Sequence, residues 1–551
     1  MNAVIFHNGL VFTADAARSL ASAVAVRDGR IVAVGGDAEV ARFRAGAHEV
    51  VDLEGRLLLP GFVDAHAHPV MGGLERLRCD LSELETADEY LTAIGAYAAA
   101  TTGWILGGGW SMSAFPGGCP AAELLDRVVP DRLVLLPNRD HHSAWVNTRT
   151  LELAGIGADT PDPPDGRIER DAGGRPTGTL HEGAMRLVER LVPAETQAEF
   201  DAALAEAQRY LHSLGVVGWQ DAMVKAGPGA SVHEAYLRAC RDGTLTAKVT
   251  GALWWDRDCP ADGIADQVAA LAALRDETAG GRYDAGTVKV MLDGVAETFT
   301  AAMLEPYLDH CGHSTGNHGL SFLDAAQAKA VVTALDAAGF QVHFHALGDR
   351  AVRDALDALA AARAANGTSG RAHHLAHLQL VHPDDIPRFA ALGATANLQA
   401  LWAAHEPQMD ELTIPFLGAE RADRQYPFGA LLRAGAPLAM GSDWPVSTPD
   451  PLAALHVAVN RIDPQAPEGT PPLGAHQALP LPVALAAYTT GSARAARLDT
   501  GTIAVGRPAD LVVLDRNPLT GPPGEIGAAR VARTYVDGQL VHAGERDDHR
   551  R

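Results

Sequence analysis

The period of hydrophobic positions changes twice along the chain. Residues 1–56 alternate apolar and polar in steps of two, broken by glycine turns. Val4-Ile5-Phe6, the stretch 24–35 and Val50-Val51-Asp52 read as short antiparallel strands, with Asp28-Gly29 as a hairpin turn. The same texture returns at 501–506, 509–515 and 531–542. Chain ends commonly lie close together in space, so segments 1–56 and 497–545 are expected to build one composite β-sandwich.

Between these ends, short apolar segments alternate with helical ones such as 325–338 and 351–364. That rhythm predicts parallel βα units. Strands are expected at 61–66, 216–221, 248–253, 287–292, 341–345, 374–379, 394–398 and 437–442. Eight such strands close a (β/α)8 barrel of the TIM type, spanning 57–496. The first two strands are about 150 residues apart, far more than one βα repeat occupies. An inserted subdomain is therefore expected at 75–210, after the first barrel strand. It carries Gly107-Gly108-Gly109-Trp110 and a loop at 161–178 rich in Pro, Asp, Gly and Arg.

Composition narrows the class of partner. Lys and Arg total 45 against 68 Asp and Glu, a formal charge of −23 that opposes binding to nucleic acid or to an anionic membrane surface. No run approaches the roughly 20 apolar residues of a membrane helix. The first residues read as a mature strand rather than a signal peptide. The 5 cysteines are widely spaced and lack a Cys-x-x-Cys pair, which suits reduced thiols in the cytoplasm better than a disulfide framework. A small-molecule substrate is the expected partner, and a homodimer the default assembly.

Candidate chemistry gathers at strand ends. His66 and His68 lie at i and i+2 at the close of the first strand, where both side chains point to one face and can meet on one ion. The ends of later strands add Lys289, His345, His377 and Asp443. Catalytic groups of a barrel of this kind sit at the C-terminal ends of its strands. Imidazoles and a carboxylate there suit one or two divalent ions of the Zn2+ class. An ammonium at Lys289 would repel such an ion; carboxylation by CO2 would turn it into an anionic oxygen donor. His343 shares a face with His345, so either can be the fifth-strand ligand. His373 and His374 read as supporting groups.

Several runs together resemble the amidohydrolase superfamily, and within it amidohydrolase family 3, the branch that includes N-substituted formamide deformylases. They are 60–68 (PGFVDAHAH), 142–147 (HSAWVN), 178–182 (GTLHE), 345–351 (HALGDRA), 441–446 (GSDWPV) and 506–514 (GRPADLVVL). The resemblance spans nearly the whole chain. It implies a (β/α)8 barrel with a composite sandwich, one or two metals, a carboxylated Lys289 and His345 as the fifth-strand ligand. Two departures stand out: His343 is an extra imidazole, and Asp140-His141-His142 replaces a more usual Asp-Gly-His.

The expected reaction is hydrolysis of an amide-type carbon–nitrogen bond by metal-activated water. Asp443 would bind the ion and carry a proton from water to the leaving nitrogen. His377 and Lys289 would hold metal, and His142 would meet the developing oxyanion. Trp110, His142, Trp145, Glu182 and His343 are the expected substrate contacts; for Trp145, packing inside the insert is the stronger reading. Trp219, Trp254 and Trp255 would add an apolar surface. The same metal site could instead serve a cyclic amide, a carbamate, an ester or an amine, because the pocket rather than the fold selects the substrate. A non-catalytic metal-binding protein is disfavoured by the complete ligand set.

Overall fold

The computed structural model describes residues 3–227 and 229–544; residues 1, 2 and 545 of the expected sandwich segments and Pro228 of the barrel segment lie outside it. Its centre is an eight-stranded parallel sheet wound into a nearly closed barrel. The strands are β1 (Phe62–Ala67), β2 (Val216–Val224), β3 (Lys248–Trp254), β4 (Tyr283–Met291), β5 (Gln341–Ala346), β6 (His374–His377), β7 (Thr395–Leu398) and β8 (Leu438–Met440). All eight overlap the segments expected from the sequence. They read so clearly because a parallel strand buried on both faces is a near-continuous apolar run.

Helices pack outside, and their starts follow from capping chemistry. Asp324 accepts the backbone N–H of both Ala326 and Gln327 to open the helix Ala325–Ala337. Thr196 and Glu199 form a reciprocal capping box at the start of Gln197–Ser213. No helix among the described residues is long and apolar enough to cross a membrane.

The seam between β8 and β1 is closed by hydrogen bonds beyond the strands proper. The backbone N–H of Asp443 donates to the His66 carbonyl at 2.7 Å, and that of His68 to the Trp444 carbonyl at 2.7 Å. Asp64, fully buried on β1, accepts the Ser442 hydroxyl at 2.5 Å and the Ser442 backbone N–H at 3.0 Å. Gly441 has to be glycine here, since a Cβ would lie 2.6 Å from the His66 nitrogen.

Two outer sheets join the chain ends. One orders Arg30–Gly35, Ala23–Arg27, Ala3–His7 and Glu49–Asp52; the other orders Gln539–Ala543, Val531–Val536, Leu511–Leu514, Leu57–Pro60, Leu10–Phe12 and Leu20–Ala21. Antiparallel pairing of Leu511–Leu514 with Leu57–Pro60 ties the C-terminal part to the segment entering β1. Val4, Phe6, Val24, Leu58, Leu511 and Tyr535 are among the residues buried between the sheets.

A further six-stranded sheet lies between β1 and β2 in sequence. Its order is Gly166–Arg170, Pro176–Glu182, Ser143–Val146, Val134–Pro137, Ile105–Gly108 and Cys79–Asp80. Trp110 and Trp145 belong to its core. Their ring centroids lie 6.2 Å apart, and each indole N–H donates to a carbonyl, Leu136 for Trp110 and Ala121 for Trp145. Both were candidate substrate contacts, with packing the stronger reading for Trp145; fully buried indoles with satisfied N–H groups suit packing. Trp219 and Trp255 are likewise committed to the core between barrel and helices.

Candidate metal centre

Three donor atoms converge at the β8–β1 seam. His66 Nε2 and His68 Nε2 each lie 3.0 Å from Asp443 Oδ1. His66 comes from within β1, His68 caps the helix Pro69–Leu77 that follows, and Asp443 takes a left-handed backbone conformation (φ 59°) just past β8. That turn swings the carboxylate over the histidines. Asp443 Oδ1 and His377 Nδ1 are buried without a hydrogen-bond partner. Orphaned acceptors beside imidazoles fit a cation, because a buried lone pair left unpaired is costly.

Lys289, His345 and His377 complete the ring. Lys289 Nζ lies 3.3 Å from His66 Nε2, and His377 Nδ1 3.8 Å from Asp443 Oδ2. The rings of His345 and His377 are 4.4 Å apart. His66, His68 and Asp443 thus have donor atoms within 4.8 Å of one another, Lys289 and His377 lie against that trio, and His345 lies against His377. Trp402 stacks nearly parallel on His377, at 5.3 Å and 7°, and the backbone N–H of His377 donates to Gln399 Oε1 at 2.6 Å.

His343 and His345 are two residues apart on β5, so both point inward, but about 7 Å apart along the strand. His343 is the deeper one. Its Nε2 lies 2.8 Å from Nδ1 of His66, and its ring rests 4.2 Å from that of His374. It contacts the far nitrogen of a ligand candidate and stands below the centre, which removes it from the expected substrate contacts. His345 Nε2 lies 3.3 Å from the Gly294 carbonyl, and its ring 5.7 Å from that of His142.

Electrostatics keeps His66, His345 and His377 neutral. Burial, reinforced by Lys289, takes His66 down to about 3. His345 and His377 are also held well below the usual histidine range, by burial first and then by Lys289 and His345 respectively. Neutral imidazole is the form that binds metal. Burial alone would push the Asp443 carboxyl up, but His66, then His68 and His377, outweigh it and hold it well below the usual range. Burial draws Lys289 down to about 7 against the pull of Asp443 and Asp221.

The inserted sheet reaches this centre through His142 and Glu182, which pair at 2.9 Å between Nδ1 and Oε1. The Thr300 hydroxyl donates to the same oxygen at 2.8 Å. Burial works against a charged His142, yet Glu182 overcomes it and lifts the imidazole to about 9. His141 fills the expected glycine position with a left-handed backbone (φ 63°), and its Nε2 pairs with Glu75 Oε1 at 3.0 Å. The ion pair holds a conformation that costs a non-glycine residue free energy.

A cavity of about 820 Å3 lies beside the centre, lined in part by Asp140, Leu347, Gln379, Trp402 and Trp444. Asp140, Leu347, Gln379 and Trp444 stand within two residues of His142, His345, His377 and Asp443, and Trp402 stacks on His377. Its wall also carries Arg139, Glu297 and Glu406, so it is more polar than the tryptophan surface expected from β2 and β3. Sequence reasoning missed Trp402 and Asp293. Asp293 accepts N–H groups from Ala302, Leu347 and Gly348 and so fastens the loops after β4 and β5. An aspartate directly after the Lys289 strand was its only signal.

Fold and donor set together define a (β/α)8-barrel protein with a candidate metal centre at the strand ends. The amidohydrolase family model matches residues 49–542, and the chain belongs to that family. It is 31% identical to Protein LONG AFTER FAR-RED 3 of Arabidopsis thaliana over 97% of this chain and 91% of that one. It is 29% identical to an N-substituted formamide deformylase of Arthrobacter pascens over 98% of each. An uncharacterized metal-dependent hydrolase from Pyrococcus horikoshii shares the fold, with a TM-score of 0.74 at 24% identity over 95% of this chain and 99% of that chain.

Proposed function

We propose that this chain is a metal-dependent hydrolase cleaving an amide-type carbon–nitrogen bond, with N-substituted formamides and other N-acyl compounds as its substrate class. The observation that carries this reading is the convergence of His66, His68 and Asp443 beside an open cavity whose wall includes Trp444. The similarity to a formamide deformylase over almost the full length of both chains supports the choice of bond.

His66, His68 and Asp443 would hold one divalent ion of the zinc class, with Lys289, His345 and His377 beside it for a second. Such an ion, when bound, supplies Lewis acidity for water and for a carbonyl. For His66 to offer Nε2, its proton must sit on Nδ1 and be donated to His343 Nε2, which fixes the ring. At about 7, Lys289 has a substantial neutral fraction under neutral conditions. Its amine can add to CO2, losing a proton to become an anionic carbamate.

Asp443 stays ionised in a buried place, so it can accept a proton from the attacking water and pass it to the departing nitrogen. His142, charged up to about 9 and held through Nδ1 by Glu182, keeps Nε2–H as a donor for the oxyanion that forms at the carbonyl. The 5 free thiols support a reducing, cytoplasmic setting for this chemistry.

The test is a panel of N-substituted formamides, N-acyl amines, cyclic amides, carbamates, esters and amines, offered to chelated protein and to protein reloaded with zinc. Metal-dependent release of formate or another acid together with amine supports the proposal. Turnover confined to esters, or ammonia release from amines, would move the chain to another reaction on the same centre. No metal-dependent turnover of any class would sink it.

A further inference from the structure

A second set of metal-type donors lies in the inserted sheet, apart from the barrel centre. We propose that Cys119, Glu169 and His181 form a sulfur–oxygen–nitrogen site for a divalent cation of the zinc class, fastening the insert that supplies His142 and Glu182.

The three ligand atoms all lie within 4.8 Å of one another. His181 Nε2 is 3.8 Å from Cys119 Sγ and 3.1 Å from Glu169 Oε1. Zinc bonds of about 2.3 Å to sulfur and about 2.0–2.1 Å to nitrogen or oxygen, at tetrahedral angles, put neighbouring donors roughly 3.3–3.6 Å apart. The observed separations bracket that range, so small shifts bring the donors onto one ion. Cys119 and Glu169 are half-buried, which leaves the solvent side for a water as the fourth ligand.

The donors come from three segments held independently of any ion. His181 lies on Pro176–Glu182, flanked in register by Ser143 on one side and Arg167 on the other. It is 2% exposed, and the Ser143 hydroxyl lies 2.7 Å from its Nδ1. A polar partner on the far nitrogen is the usual means of orienting a ligating histidine. Glu169 comes from the hairpin partner Gly166–Arg170, where Arg167 pairs with its Oε1. Cys119 sits on a loop pinned twice: the Thr179 hydroxyl donates to the Pro120 carbonyl at 2.7 Å, and the Trp145 indole to the Ala121 carbonyl at 3.0 Å. On binding, the thiol loses its proton to solvent as the sulfur–metal bond forms. His181 directly precedes Glu182, whose carboxylate faces His142, so an ion here would brace the hairpin that presents Glu182 to the barrel mouth. By contrast Asp309, Cys311 and His313 are all exposed, and we assign them no ion.

Cobalt substitution tests the site, because the barrel centre has no sulfur donor. Full-length protein carrying Cys311→Ser, which removes the exposed thiol cluster, is stripped and reloaded with Co2+. A near-ultraviolet thiolate-to-cobalt charge-transfer band is expected. It should persist when His66→Ala and His68→Ala empty the barrel centre, and vanish in Cys119→Ser and in His181→Gln. Zinc content should fall by one equivalent per chain in each of the latter two. Glu169→Gln, the mildest change, should weaken zinc binding about 10-fold or more with the circular dichroism of the folded protein unchanged. Absence of the band, or a band and zinc count unaltered by Cys119→Ser in folded protein, would overturn the proposal and leave the barrel centre untouched.

Discussion

The backbone N–H of Asp443 donates to the carbonyl of His66 at 2.7 Å, while Asp443 Oδ1 lies 3.0 Å from that same residue's Nε2. One residue thus closes the barrel with its main chain and builds the metal centre with its side chain. The two tasks are chemically separable, and that sets the first prediction.

Asp443→Asn keeps the backbone bond and the side-chain volume but removes the charge and the proton acceptor. Turnover should fall by about 10^2- to 10^4-fold, the span expected for losing a general base. Circular dichroism and melting temperature should stay close to the parent values. A variant that fails to fold would assign Asp443 a structural role instead.

Lys289 stands 3.3 Å from His66 Nε2 at the end of β4. Metal content per chain, measured on untagged protein with and without bicarbonate, should approach two equivalents with bicarbonate and drop to one or fewer in Lys289→Ala. A content of one equivalent in both proteins would make the lysine a bystander to a mononuclear centre.

His343 touches no candidate ligand atom directly, yet it holds the far nitrogen of His66 at 2.8 Å. His343→Ala should weaken metal binding by about 10- to 100-fold, the usual effect of losing such a partner. At saturating metal, kcat should recover most of its value. If affinity for metal is unchanged in a competition titration, the His343 contact does not orient His66.

The His142–Glu182 pair gives a signed pH dependence. Because the folded-state pKa of His142 is raised from 6.5 to about 9, the pair's stabilisation is fully present below about 6.5 and is lost as pH rises through about 9. At about 1.4 kcal/mol for each tenfold change, the rise corresponds to something on the order of 3 kcal/mol. Glu182→Gln should therefore lower the melting temperature most near pH 6 and least above pH 9. A difference that is flat across that range would contradict the assignment.

Much of the barrel was legible because strand ends carry local signals. The His66-Ala67-His68 spacing puts two imidazoles on one face whatever surrounds them, and each buried strand announces itself as an apolar run. Trp110 was ambiguous, and Trp145 only leaned towards packing, because an indole looks the same in a sequence whether it faces a ligand or a core. Their fate depended on Leu136 and Ala121 carbonyls brought from elsewhere in the insert.

By itself, then, the sequence determined the eight strands, the long segment between the first two of them, and the placing of His66, His68 and Asp443 at or just past strand ends. Those are properties of periodicity and of position along a strand. Tertiary structure alone decided that His343 sits one layer below His345, that Trp402 covers His377, and that Cys119 meets His181 from 62 residues away. Depth in a barrel and contact across loops depend on strand register and chain closure, which no local pattern of residues encodes.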